Sequence, residues 1–178
     1  ADRILDRNTV EIPCRGPHAV EQGIRALCLV KGRAADFEVQ WMTSGTLNAL
    51  RVTAERGTTW DEFNAMDFSR MRLLMCTKDT VVKNLAYAIA VEVRRHGAVA
   101  LHTYSDNVLA VNVAVKALAT VPKLTGGERV QAVPSLGWAK RGEQRHPTLR
   151  FYVQRKTSTE LQSKEAPAQT QSTEEKPG

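Results

Sequence analysis

The order of apolar and polar positions is clearest between residues 71 and 121. Met71–Cys76 is a short apolar run of the kind a strand shows. The polar stretch Thr77-Lys78-Asp79-Thr80 follows it and offers Asp79 and Thr80 as helix N-caps. Val82, Leu85, Ala86, Ile89 and Val93 then recur at three- and four-residue steps, which is one face of a helix. Arg94-Arg95-His96 and Gly97 supply a basic end and a glycine stop. Ala98–Tyr104 reads as a second strand. Ser105 and Asp106 can cap a second helix that carries Ala110, Val113, Ala114, Ala117 and Leu118 inward, with Pro122 as its end. The order is strand, helix, strand, helix.

The residues before this stretch repeat the pattern. Thr9–Cys14 predicts a strand, and Pro13 inside it predicts a sheet edge. Ala19–Gly32 predicts a helix with Val20, Ile24, Leu27 and Val30 inward; Gly23 in its middle suggests a close packing contact. Phe37, Val39 and Trp41 alternate with Glu38, Gln40 and Met42 in a half-buried strand. Ser44-Gly45-Thr46 reads as a loop and Leu47–Glu55 as a helix. A shift of 62 positions lays Cys14 on Cys76, Val20 on Val82, Leu27 on Ile89 and Leu47 on Leu109 without a gap. After Val121 the second copy continues with two strands, Arg129–Pro134 and Thr148–Arg155, joined by the polar arm Gly137–Pro147. Leu149, Phe151 and Val153 alternate there with Arg150, Tyr152 and Gln154.

These readings divide the chain into a truncated β-α-β-α unit over 9–56, a connector over 57–70, a β-α-β-α-β-β unit over 71–156 and a tail over 157–178. The fold class is α/β in layers, with the two units packed as a pseudo-dimer inside one chain. Trp60, Phe63 and Phe68 are too apolar for a free connector, and Thr59-Trp60-Asp61-Glu62 is able to start one helical turn. Asp2–Asn8 is polar and reads as loose. The tail has one large aliphatic residue, Leu161, and cannot offset its ordering entropy by burial, so disorder is expected there.

Charge narrows the choice of partner. The chain carries a formal +6 with a pI near 9.5, and residues 128–156 alone hold seven basic and two acidic side chains. Such an excess favours nucleic acid first and an anionic surface second. No run of about 18 apolar residues is present, so no membrane-spanning segment is expected. Cys14, Cys28 and Cys76 form no CxxC pair, and His18, His96, His102 and His146 make no metal-ligand spacing with them. The cysteines read as small buried hydrophobes in a reducing, intracellular compartment, and no metal or cofactor is expected. The first residue is Ala, consistent with removal of an organellar presequence, which suggests a mitochondrial location. No GxSxG, GxxxxGK[ST], HExxH or paired-carboxylate motif occurs, so catalysis is not expected.

The arm is the strongest functional signal. Lys140, Arg141 and Arg145 beside Trp138 and His146 combine charge with stacking surface, which suits phosphates and unpaired bases. Lys78 and Lys83 flank a helix N-terminus, where free backbone N–H groups favour an anion. Arg150 and Tyr152 lie on the outward face of the last strand and are placed to continue the arm's surface.

Over 72–155 the chain resembles the stage V sporulation protein S branch of the Alba-like superfamily. The matching stretches are LLMCTKDTVVKNLAYAIAVEVRRHG, VNVAVKALATVPKLTGGERVQAVPSL and TLRFYVQRK, with Asn112, Lys116 and a proline in the third strand. Residues 9–56 then look like a degenerate second copy without the hairpin. The resemblance implies binding of DNA or RNA without a catalytic centre, through the loop Thr77–Thr80, the loop Tyr104–Asn107 and the arm Trp138–Pro147. That second loop usually contains glycine in the family. Here it is Ser105-Asp106-Asn107, whose aspartate repels phosphate, while the first copy keeps Ser44-Gly45-Thr46. RNA is favoured over DNA, on the stacking residues of the arm and the family's association with ribonucleoproteins. The alternative is a structural subunit of a large, organellar ribonucleoprotein such as a ribosome, with RNA and protein partners.

Overall fold

A computed structural model describes residues 9–44 and 47–156; the loop expected at 45–46, the loose start at 2–8 and the tail expected to be disordered at 157–178 lie outside the described residues. The elements in order are β1 (Thr9–Cys14), α1 (Pro17–Cys28), β2 (Arg33–Ser44), β3 (Leu47–Thr59), α2 (Trp60–Asn64), β4 (Leu73–Met75), α3 (Val82–His96), β5 (Ala98–Tyr104), α4 (Val108–Thr125), β6 (Val130–Arg141) and β7 (Gln144–Arg155). The strands form one mixed seven-stranded sheet in the order β1-β3-β2-β6-β7-β5-β4. Among the described residues only β4 and β5 run parallel; β1 with β3, β3 with β2, β2 with β6, β6 with β7 and β7 with β5 are antiparallel. The fold is thus mixed α/β of the α+β kind.

The expected helix over Leu47–Glu55 is strand β3. Its leucines, alanines, arginine and glutamate favour a helix in isolation. Within the sheet, Leu50, Val52 and Ala54 alternate with Arg51, Thr53 and Glu55, and the first three are buried. Pairing on both sides, to β1 and β2, overrides the local preference. The first unit is therefore β-α-β-β and keeps its hairpin, against the expectation of a β-α-β-α copy without one. The shift of 62 gives way to two others. The β2–β3 hairpin matches β6–β7 at an offset of 97, Arg33 against Val130 and Leu47 against Gln144. Strand and helix match at 91: Val20, Ile24, Leu27 and Val30 correspond to Val111, Val115, Leu118 and Val121, and all eight are buried. By element order the first unit is shorter than the second by an opening strand and helix.

Helices α1, α3 and α4 cover one face of the sheet. Their apolar stripes, Val20-Ile24-Leu27, Leu85-Ala86-Ile89-Val93 and Val111-Ala114-Val115-Leu118, meet Phe37, Val52, Leu101, Phe151 and Val153 from the strands. α4 has the length and composition of a membrane-crossing helix, against the expectation that no segment does; half of it lies buried within the fold. Its helix also continues through Pro122, the residue expected to end it, to Thr125. The caps differ as well. Asn107, not Ser105 or Asp106, accepts the backbone N–H of Ala110 at 3.1 Å. Val81 occupies the N-cap of α3 without a side-chain bond, because Thr80 closes its own turn on the Thr77 N–H at 2.9 Å. Cys14 and Cys76 are buried and Cys28 half-buried, all as free thiols; burial pushes Cys28 up to about 12 and Cys76 up to about 11.

The other face of the sheet is half open. The connector covers part of it: α2 is capped by a reciprocal Thr59–Glu62 box, and Phe63 packs with Ala34 and Val133 beside Trp60, Phe68 and Tyr152. The two units meet along a seam where Phe37 on β2 opposes Ala132 on β6. A charge cluster closes the seam at one end. The buried Glu38 carboxylate accepts from Arg129 and Lys156, and Lys156 also reaches Glu55 at 3.2 Å.

Candidate nucleic-acid interface

Strands β6 and β7 run past the ends of their pairing with β2 and β5, and this makes the arm. β2 pairs β6 at Ala132, β7 stops pairing β5 at Thr148, and beyond these points Gly137–Pro147 runs as an isolated two-stranded ribbon. Its ladder continues to Arg141 opposite Gln144, so Gly142-Glu143 is a two-residue turn. Gly142 has φ 65° and no other residue of the turn is positive, the sign pattern of a II′ hairpin.

Residues directly opposed in the ladder share a face. Trp138 opposes Pro147, and Lys140 opposes Arg145. All four therefore stand on one face of the arm, while Arg141 and His146 stand on the other. Two like charges directly opposed destabilise a ribbon. Among the described residues, Lys140, Arg141 and Arg145 form no ion pair, and all three are exposed. Trp138 beside them is 71% exposed, so it is not the core partner of Phe151 that its apolar character would permit. The arrangement is a concentrated positive site with an aromatic plate.

The remaining expected residues fall around this arm. β4 and β5 end at the same end of the sheet from which the arm projects, so the loop Thr77–Thr80 and the start of α3 stand there too. Lys83 is exposed at the second position of α3. Lys78 is exposed and paired with Asp79 at 2.8 Å, a carboxylate that competes with any anion for it. Ser105 is buried, its N–H donating to the Pro147 carbonyl at 3.0 Å, which ties the loop before α4 to the base of the arm. Arg150 is exposed on the open sheet face, where its Nε donates to His102 Nδ1 at 3.2 Å. This bond needs a neutral imidazole. Burial and the adjacent Arg150 cation both hold His102 below its ordinary value.

Tyr104 and His146 lie in the loop and the arm expected to make contacts, whereas Ser135 and Thr148 were not anticipated. On the open face Tyr104 lies between His102 and His146, with ring centres 6.0 and 5.8 Å away. A polar hollow of about 190 Å³, lined by Ser135, Gly137, Thr148 and Arg150, leads along this face to Tyr152. In the first unit, Trp41 occupies the register position of Trp138, opposing Leu50 as Trp138 opposes Pro147. Trp41 folds down on α4, donating to Thr120 Oγ1 at 3.3 Å with Lys116 and Lys123 about its ring. The paired tryptophans and glycines, Trp41 with Trp138 and Gly45 with Gly142 at one offset of 97, were the sequence signal for a second hairpin. No protein-family model matches the chain, and no curated protein matches it.

Proposed function

We propose that the chain is a non-catalytic nucleic-acid-binding protein, RNA favoured, that holds phosphates through the β6–β7 arm. One observation carries this reading: Lys140 and Arg145 are opposed on a projecting ribbon beside an exposed Trp138, with no acidic partner among the described residues. A ribbon keeps such a repulsive pair at little cost when an anion lies between them. The resemblance to Alba-like chains supports it, since β4-α3-β5-α4-β6-β7 has the element order of that fold. On this reading the two units are a tandem pair within one chain, the first lacking its opening strand and helix.

The test is a salt series with single-stranded RNA, duplex RNA and duplex DNA. Each phosphate contact releases counterions, so log affinity falls linearly with log salt. Changing Lys140, Arg141 and Arg145 together to Ala should lower the slope by roughly two to three and weaken binding to every sequence alike. Wild-type affinity and slope in that variant would remove the arm from the site. A second reading, a structural subunit of a ribonucleoprotein, is favoured by the exposed apolar edge at β4, where Leu73 is 44% and Met75 54% exposed.

A further inference from the structure

The connector makes a pocket that the arm does not need. Beneath α2 and the residues that follow it lies a hollow of about 90 Å³, walled by Phe63, Phe68, Val133 and Tyr152 with the Asp36 carboxyl at one side. The hollow is open on one side and admits the edge of a flat ring. Phe68 and Tyr152 lie 4.3 Å apart at their centres and give it an aromatic wall. Tyr152 also lines the neighbouring polar hollow, whose other walls include Ser135, Thr148 and Arg150. The two hollows therefore meet at Tyr152, and the second leads to the base of the arm. An apolar ring site, an acceptor in its wall and an exposed guanidinium follow one another on a single open sheet face.

We propose that this track takes one unpaired nucleotide of a single-stranded nucleic acid, its base against Phe68 and Tyr152 and its phosphate on Arg150. The inference rests on the nucleic-acid reading of the arm and names the form of ligand it takes. Charge complementarity and continuity with the arm select the occupant. A strand whose backbone lies on Arg141, on the face of the arm that carries His146, reaches Arg150 along β7 on that same face, and a duplex cannot place a base in a hollow beneath the connector. Base stacking on aromatic side chains is sequence-tolerant. The Asp36 carboxyl adds a preference, because a carboxylate accepts from the exocyclic amine of cytosine, which uracil lacks.

The experiment measures anisotropy of labelled oligo(C), oligo(U) and an RNA duplex of equal length with the full chain at one salt concentration. Oligo(C) should bind roughly tenfold tighter than oligo(U). Asp36→Asn should bring the two within about twofold. Arg150→Gln should weaken both single strands by roughly tenfold and leave the duplex unchanged. Arg150 is exposed, so this variant does not depend on a core change; melting curves check both proteins. Equal binding of oligo(C) and oligo(U) by the wild type overturns the base preference. Unchanged single-strand affinity in Arg150→Gln overturns the track. If the arm variant abolishes binding while Arg150→Gln and Asp36→Asn bind normally, the arm reading stands and the pocket falls. If the wild type binds none of the three ligands, the arm reading itself falls.

Discussion

Gly57 and Gly23 respond to a methyl group in opposite directions. At Gly57 on β3 a Cβ would lie 2.8 Å from the Ala34 carbonyl oxygen and 3.1 Å from Asp36 Oδ2. The carbonyl belongs to the backbone of the paired strand and cannot move aside cheaply. Gly57→Ala should therefore cost about 1–3 kcal/mol. At Gly23 in α1 the added atom would lie 3.4 Å from Cys14 Sγ and 3.7 Å from Ile12 Cγ2, ordinary contact distances. The close approach expected from the sequence is present, but it leaves room for a methyl group. The second unit already has alanine at the matching position, the fully buried Ala114. Gly23→Ala should gain up to about 1 kcal/mol from helix propensity. Urea midpoints at constant m value check both; a loss at Gly23 would mean that α1 has no slack against β1.

Among the elements, the arm gives the sharpest division between binding and folding. Trp138 is exposed and touches no core, so Trp138→Ala should leave the melting temperature nearly unchanged, within about 0.5 kcal/mol. Binding should weaken by about 1–3 kcal/mol if a base stacks there, with the salt slope preserved. A variant that melts early would place the ring in the fold instead. The helices were legible because their apolar faces recur over several turns: Val20, Ile24 and Leu27 are buried as expected, and so are Leu85, Ile89 and Val93. The arm was legible because charges on a short ribbon have no place to hide. β3 was not, although Leu50-Val52-Ala54 against Arg51-Thr53-Glu55 alternates at period two. A run of good helix formers masks that alternation, and only the partners β1 and β2 resolve it. The pocket was not legible either, since Asp36, Phe68 and Tyr152 come together only when the connector folds back on the sheet.

At the scale of the molecule, the Glu38 cluster joins one unit to the other. Burial raises the Glu38 carboxyl, but hydrogen bonds from Arg129 and Lys156 outweigh it and leave the group below its ordinary 4.5. Lys156 is likewise opposed by burial and raised overall above 10.5 by Glu38 and Glu55. A carboxyl with a lowered value contributes stability above its unfolded value and loses it as pH falls through the folded one. A lysine with a raised value contributes below 10.5 and loses it as pH rises further. Glu38→Gln should thus lower stability by about 1–3 kcal/mol at neutral pH. The difference from wild type should shrink as pH falls below 4.5. Denaturation midpoints across pH 2–8 check this; parallel curves would show that Glu38 adds nothing as an ion.

The seam itself differs from every other strand pairing in the sheet. The pairings of β1 with β3, β3 with β2, β4 with β5, β5 with β7 and β7 with β6 each lie within one unit, whereas Phe37 meets Ala132 across the whole connector and the second unit's helices. Loops this long close late relative to hairpins. A chain made from its N-terminus therefore presents β2 as a bare edge until β6 arrives. That edge is matched by register rather than by connectivity, so the β6 of a second copy fits it as well as the chain's own. A chain whose two halves meet at one such seam is prone to exchanging a half with a neighbour.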